Sequence, residues 1–458
     1  MLAIYRQKLE EYAIDSNDQI RVVATSAVRE ASNQLAFQDR VFIATGFEIE
    51  SFDVAELHRV TYLGILPFLD QMDKEAESGE LSGHNVVCEV GGGSTEILVL
   101  KGSDVHYSHT FRFGALRIRR TLEALHVPLD KMRGLMETQI QHVVADIHES
   151  LEKQRPTNLI AMGSEMRWIA NEILNKNPAR EIVTLPLKKL REFNESIELL
   201  TPEKLAHRYP IGLPAAQTLG PTLLAFELLA EALNIDEIAI ANVNLRDGLI
   251  TEMGMNRRYN ESIEKQIIRS AITVGRKYHF DESHAVHVAK ISRQLFDQLK
   301  ELHQLEDRMG SLLHIGALLH EIGYYVGARG YHKHSMYLIR NSEFFGIGAS
   351  DLLIISLIAR YHRRAMPQAR HDGYSSLNRA RRVIVSKLSA ILRIALALDA
   401  GRSQRIQTID CQRIGNRVLV RVKNVTDTSM EQLELNQSND FFEAIFGCRV
   451  VLEAVKAN

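Results

Sequence analysis

The sequence predicts a chain in two parts: an α/β first half, then an all-helical stretch that ends in a small α+β tail. Three observations predict this. Helix and strand patterns alternate over residues 1–100. A 3.6-residue apolar periodicity runs almost unbroken from 262 to 400. Strand patterns return after 405. A chain of 458 residues is too long for one core. Boundaries are expected at 1–85, 86–258, 259–400 and 401–458, with Asn256–Lys265 as a charged hinge.

The elements follow in order. Leu2, Tyr5, Leu9 and Tyr12 fall near one face of a helix over 1–14. Ile20–Ala24 reads as a strand, and a capped helix starts at Ser26. Val41–Ala44 reads as a short strand, and Val54–Met72 as a long helix. Asn85–Glu89 and Glu96–Leu100 are apolar strands joined by Gly91-Gly92-Gly93-Ser94-Thr95, a hairpin rather than a strand–helix phosphate loop. Residues 115–175 read as helical, broken by the strand Asn158–Met162. Glu237–Ala241 is another strand, before a loop ending in Arg246-Asp247-Gly248. Arg417–Val422 and Cys448–Leu452 are strands of the tail.

Composition narrows the function classes. Hydrophobic residues make up 45%, charged residues 24%, and the net charge is −2. No global field recruits a polyanion, so such a site must be a local basic patch, and specific nucleic-acid binding is not expected. Cys88, Cys411 and Cys448 form no CxxC pair. They read as small buried hydrophobes in a reducing cytoplasm, not as a thiolate metal site or a disulfide framework. No apolar run reaches the length of a membrane span.

The sharpest chemical signal is Glu89-Val90-Gly91-Gly92-Gly93-Ser94-Thr95-Glu96. Glycines permit positive φ and close approach of a ligand. Successive amides make an anion-binding concavity, and the Ser94 and Thr95 hydroxyls add donors. Glu89 could hold a metal that bridges phosphate oxygens. The bland alternative is a glycine hairpin without a ligand.

VVATSAVREASN (22–33), EVGGGSTEILVL (89–100), LRDGLITEM (245–253), LLHEIGYYV (318–326), RYHRRA (360–365) and FFEAIFGCRVVLEA (441–454) resemble, in order, successive blocks of the exopolyphosphatase/guanosine pentaphosphatase (Ppx/GppA) family. The resemblance implies an actin/hexokinase-like (ribonuclease H-like) two-lobed core, with 1–85 a partial first lobe and 86–258 the second. A helical HD-like domain over 259–400 and a small α+β domain follow. It also implies a cytoplasmic homodimer that uses magnesium to remove a terminal phosphate from polyphosphate or guanosine pentaphosphate (pppGpp). Arg29 matches the family's phosphate-contacting arginine, Gly91 to Thr95 its second phosphate loop, and Glu89 its metal-associated acid.

Several positions depart from that pattern. No Asp-x-Gly-Ser/Thr-Asn loop precedes Ile20, so the first lobe is expected to be incomplete at its N-terminus. Alignment on Arg59 puts Leu57 where the family has its catalytic Glu. Glu56 is the neighbouring carboxylate that could replace it, and His58 a second base; both otherwise read as a solvated helix face. Gly163-Ser164-Glu165-Met166-Arg167 keeps only one glycine of a third loop, and Asn242 stands for an acid.

In the helical half, His284, His320, Glu321, His334, His362 and Asp399 resemble an HD-type array that could converge on metal or simply fill a core. Arg360, His362, Arg363, Arg364, Arg370, Arg379, Arg381 and Arg382 form one basic cluster, which otherwise reads as a solvated helix face. Arg112, Arg117, Arg119 and Arg120 form another. Arg117, Arg363 and Arg364 are candidates to line a polyphosphate channel. Three readings stand: a magnesium-assisted phosphoanhydride hydrolase, a non-cleaving binder of polyphosphate or (p)ppGpp that acts as a regulator, and an HD-type metal phosphohydrolase.

Overall fold

The computed structural model describes residues 2–14, 19–75, 83–124, 131–150, 156–176, 183–254, 261–363, 365–423, 425 and 427–455. The chain divides into two compact units, Met1–Arg258 and Tyr259–Asn458. Half of the expected hinge, residues 256–260, and Arg364 lie outside the described residues.

The first unit runs α1 (Leu2–Glu11), β1 (Val22–Ala24), α2 (Ser26–Arg29), α3 (Gln34–Thr45), β2 (Ile49–Ser51), α4 (Val54–Glu75), β3 (His84–Val90), β4 (Thr95–Lys101), β5 (Asp104–Phe111), α5 (Ala115–Ala124), α6 (Met132–Ser150), β6 (Asn158–Met162), α7 (Ser164–Leu174), β7 (Val183–Pro186), α8 (Leu187–Ile197), α9 (Pro202–Arg208), α10 (Leu213–Leu233), β8 (Glu237–Ile240) and α11 (Leu245–Gly254). β1 and β2 pair in parallel. The other strands make a six-stranded mixed sheet in the order β5-β4-β3-β6-β8-β7.

Within that sheet β3, β6 and β8 run parallel, so their C-terminal ends share one edge. On one face Val86, Cys88, Ile97 and Val99 pack with Met136, Ile140 and Ile147 of α6 and with α10. α10 is apolar nearly all round, as a central buried helix must be. Its one fully buried acid, Glu227, accepts from Arg133 at 2.9 Å and Asn194 at 2.5 Å. α4 packs against β4 and β5. α11 crosses α4 so closely that a Cβ on Gly248 would lie 2.0 Å from the Val60 carbonyl oxygen.

Several expectations need correction. Val41–Ala44 is the end of α3, not a strand: four apolar residues carry too little period to separate the two, and Gly46 at φ 71° stops the helix. α2 has only four residues, and its N-cap Thr25 makes no side-chain capping bond. The face expected on α1 is not a core face, because no α1 residue is buried. Arg246 to Gly248 lie in α11, whose start is a capping box. Asn244 Oδ1 accepts from the Arg246 amide at 2.9 Å, and Asp247 Oδ2 from the Asn244 amide at 2.8 Å.

The second unit runs α12 (Glu261–Lys277), α13 (Glu282–Gln298), α14 (Lys300–His303), α15 (Asp307–Leu319), α16 (Tyr331–Arg340), α17 (Ala349–Tyr361), α18 (Arg379–Ala397), β9 (Ile409–Ile414), β10 (Arg417–Lys423), α19 (Ser429–Phe446) and β11 (Arg449–Val455). Its sheet has the order β11-β10-β9. Val418, Val420 and Val422 are buried at period 2. Asn439 of α19 clamps both backbone groups of Val450, at 2.9 and 2.7 Å. Cys88 and Cys448 are buried, but Cys411 is only half-buried; all three are free. Among the described residues no helix is long and apolar enough to cross a membrane.

Candidate active site

The glycine turn sits at the C-terminal end of β3, on the edge where β6 and β8 also end. This is where open α/β sheets bind ligands. The Gly91 amide donates to the Ser94 carbonyl at 2.8 Å, leaving Gly92 and Gly93 at the tip. None of the three glycines has a positive φ, contrary to the expected use of that freedom. Close approach requires them instead: a Cβ on Gly91 would lie 3.1 Å from the Ser94 carbonyl oxygen, and one on Gly92 3.1 Å from Leu116.

The start of α5 orients the turn. Gly91 O accepts from the Ala115 amide at 2.9 Å. Gly92 O accepts from Leu116 at 2.9 Å and Arg117 at 3.1 Å. Gly93 O accepts from Arg117 Nε at 3.0 Å. In a trans peptide the N–H points opposite to the carbonyl of the preceding residue. Three carbonyls turned toward α5 therefore turn the amides of Gly92, Gly93 and Ser94 away from it. Those three amides have no hydrogen-bond partner among the described residues. Gly114 makes the arrangement possible, since a Cβ there would lie 2.5 Å from the Ser94 nitrogen.

The turn faces the TSAVRE segment: a Cβ on Gly93 would stand 3.6 Å from Ser26 Oγ. Arg117 also pairs with Glu30 at 3.3 Å. Arg29 donates to the Phe52 carbonyl at 2.9 Å, and its charge favours the ionised form of Glu96. Thr95 is not a donor to the turn, because its hydroxyl donates to the Phe113 carbonyl at 2.6 Å. Ser94 Oγ donates to Glu96 at 3.0 Å.

Glu89 and Glu96 stand directly opposite each other across β3 and β4. Like carboxylates in that position raise each other's pKa. Burial pushes Glu96 up to about 8, with Glu89 adding to it and Ser94 and Arg29 opposing. Burial also raises Glu89, against the pull of Arg167. Glu96 was not singled out from sequence. Hairpin counting could have found it: a Gly91–Ser94 pair puts residue 89 opposite 96.

Glu56 is otherwise engaged. It forms a reciprocal capping box with Asp53 at the start of α4, each bond 3.0 Å. Leu57 is buried. His58 is buried rather than solvated, with Nε2 2.9 Å from the Thr110 hydroxyl. Glu252 takes ion pairs from both Arg21 and Arg59. At the end of β6, Gly163 has φ 115°, and Glu165 accepts from Thr218 at 2.7 Å. Asn242, after β8, is exposed. Arg363 is in the second unit, its guanidinium 4.9 Å over the Tyr331 ring. His284, His320 and Glu321 gather there, whereas His334 is not part of the cluster.

Comparison with known proteins places these residues in context. The Ppx/GppA phosphatase family matches residues 3–256, and Ppx/GppA phosphatase domain III matches 268–442. A guanosine-5'-triphosphate,3'-diphosphate pyrophosphatase of Pseudoalteromonas translucida is 25% identical over 415 residues, 88% of this chain and 77% of that one. The protein of the same name from Photobacterium profundum is 24% identical over 397 residues, 85% and 75%. Among solved structures, an exopolyphosphatase from Cytophaga hutchinsonii has a TM-score of 0.48 at 18% identity, over 56% of this chain and 80% of that one.

Proposed function

The chain belongs to the Ppx/GppA phosphatase family, and from that premise we propose that it hydrolyses the terminal phosphoanhydride of pppGpp or of inorganic polyphosphate at the glycine turn. The observation that carries this reading is the set of three outward amides at Gly92, Gly93 and Ser94. They form a cradle for a phosphoryl group, with Arg29 and Arg117 beside it to offset its charge. The substrate named for the bacterial relatives, guanosine-5'-triphosphate,3'-diphosphate, favours pppGpp.

The chemistry follows from the side chains. A water oxygen bonds to the cradled phosphorus in line with the bridging oxygen, that P–O bond breaks, and the departing oxygen leaves as a phosphate oxygen. Glu96 takes the proton from the water. A carboxylate held near pH 8 by burial matches this role, because a base works best with its pKa close to the working pH. The Glu89 carboxylate, directly across from Glu96, suits a hard divalent ion. Magnesium bound there would offset the charge that develops on the phosphoryl oxygens. The rest of the catalysis is positioning by loops whose helix starts and glycines fix them.

A second reading, a regulator that binds (p)ppGpp or polyphosphate without cleaving it, is favoured by one observation: buried Leu57 stands at the position where the family resemblance expects a carboxylate. A cytoplasmic homodimer is the assembly we propose for either role. Phosphate release from pppGpp and from polyphosphate, with and without magnesium, tests the two readings. Magnesium-dependent release from either substrate supports the hydrolase, and the faster one identifies its substrate. Tight binding without release supports the regulator. Neither binding nor release overturns both.

A further inference from the structure

We propose that the second unit carries a binding site for one divalent transition-metal ion, with His284, His320 and Glu321 as ligands and Asp399 as the residue that orients His284. One donor atom from each of the three ligands lies within 4.8 Å of the others. The ligands and Asp399 together come from three helix ends. Asp281 caps α13 by accepting from the His284 amide at 3.2 Å, which sets His284 in the first turn. His320 follows the last residue of α15. Asp399 follows α18.

The histidines are oriented as metal ligands are. His284 Nδ1 lies 2.8 Å from Asp399 Oδ2, and His320 Nδ1 lies 2.6 Å from the Ala317 carbonyl oxygen. Both partners are acceptors, so both Nδ1 atoms carry the hydrogen and both Nε2 atoms offer lone pairs. Asp399 is itself fixed, since its Oδ1 accepts from the Gln404 amide at 2.8 Å. His320 is 1% exposed and its Nε2 has no hydrogen-bond partner among the described residues. A buried nitrogen without a partner costs free energy unless something else fills the position. His362 is not in the same state, because its Nε2 lies 3.1 Å from the Tyr331 hydroxyl.

The backbone around His320 is locked. A Cβ on Gly323 would lie 2.0 Å from the Tyr331 carbonyl oxygen. Ser335 Oγ donates to the His320 carbonyl at 2.7 Å and accepts from the Gly323 amide at 2.9 Å. Glu321 is held by Arg402 at 2.6 Å. That guanidinium offsets the carboxylate charge that an ion would otherwise offset. A cavity of ≈ 330 Å³ opens on His284, Glu321, Asp399, Arg363 and Arg402, with room for water or an anion beside the ion. Two imidazoles and one carboxylate suit zinc, cobalt, nickel or iron(II) over magnesium.

The test is a Co²⁺ titration of the chelator-treated full chain, followed through the visible bands of the coordinated ion, with circular dichroism to confirm the fold of each variant. The expected result is saturation at one equivalent that excess Mg²⁺ does not reverse. Asp399→Asn should weaken binding by about 10- to 100-fold, the usual range for a ligand-orienting partner. His284→Ala and Glu321→Gln should abolish the bands. Arg402→Ala, at an exposed position, should tighten binding by releasing Glu321. No saturable Co²⁺ binding in the parent chain would overturn the site. So would undiminished binding in folded His284→Ala, or weaker binding in Arg402→Ala.

Discussion

The two units bury their chemistry in opposite ways. In the first, the cradle is backbone: three amides aimed by the start of α5, with glycines making room. Its titratable partners are acids that burial pushes toward the protonated form. In the second, the donors are side chains, and burial pushes imidazoles toward the deprotonated form, His320 down to about 4. Both environments favour the neutral species. The chemistry that results differs: a carboxyl near pH 8 can exchange a proton with water, whereas a neutral imidazole offers a lone pair to a metal.

The contrast can be broken at either unit. Glu96→Gln should lower phosphate release by about 10²–10⁴-fold while Co²⁺ binding by the second unit stays unchanged. Kinetic assay and titration on the same preparation check both halves. Gly248→Ala should destabilise the first unit by about 1–3 kcal/mol, toward the upper end because the clash is with backbone. Urea unfolding of that variant measures the loss.

Stability should also respond to pH with opposite signs. Glu96 holds a proton in the folded state up to about 8, whereas the unfolded carboxyl loses it near 4.5. The folded first unit therefore binds more protons in that window, and its stability falls as pH rises through it. His314, lowered to about 4 mainly by burial, binds fewer protons folded than unfolded. The second unit should lose stability as pH falls from 6.5 toward 4. Hydrogen exchange resolved by unit, at several pH values, reads both slopes; slopes of equal sign would contradict the contrast. The smallest effect is expected at Asp53→Ala, where loss of the α4 cap should cost about 1 kcal/mol.

Much of this architecture was legible because burial repeats at the period of the element. Val418, Val420 and Val422 announced β10, and the apolar run of Asn158–Met162 announced β6. Val41–Ala44 misled because four apolar residues fit either state, and only the helix begun at Gln34 decides. The Gly91–Ser94 turn was visible as composition, but not its mechanism: positive φ was expected, and close packing by Gly114 and α5 supplied the reason instead. The motif around Glu56, which read as chemistry, and the segment around Asp247, which read as a loop, both form helix caps. A capping box and a catalytic carboxylate use the same residue types, so spacing alone does not separate them. Arg402, distant in sequence from the histidines, carried no signal at all; only the fold brings it to Glu321.

The outward amides of the glycine turn are tested most directly by calorimetric binding of pppGpp and of polyphosphate to the Gly93→Asp chain. Among the described residues a Cβ at Gly93 meets only Ser26 Oγ, at an ordinary 3.6 Å, so the variant should fold while placing a carboxylate in the cradle. Affinity for both polyanions should collapse, with Co²⁺ binding by the second unit unchanged. Affinity equal to that of the parent chain would contradict the cradle.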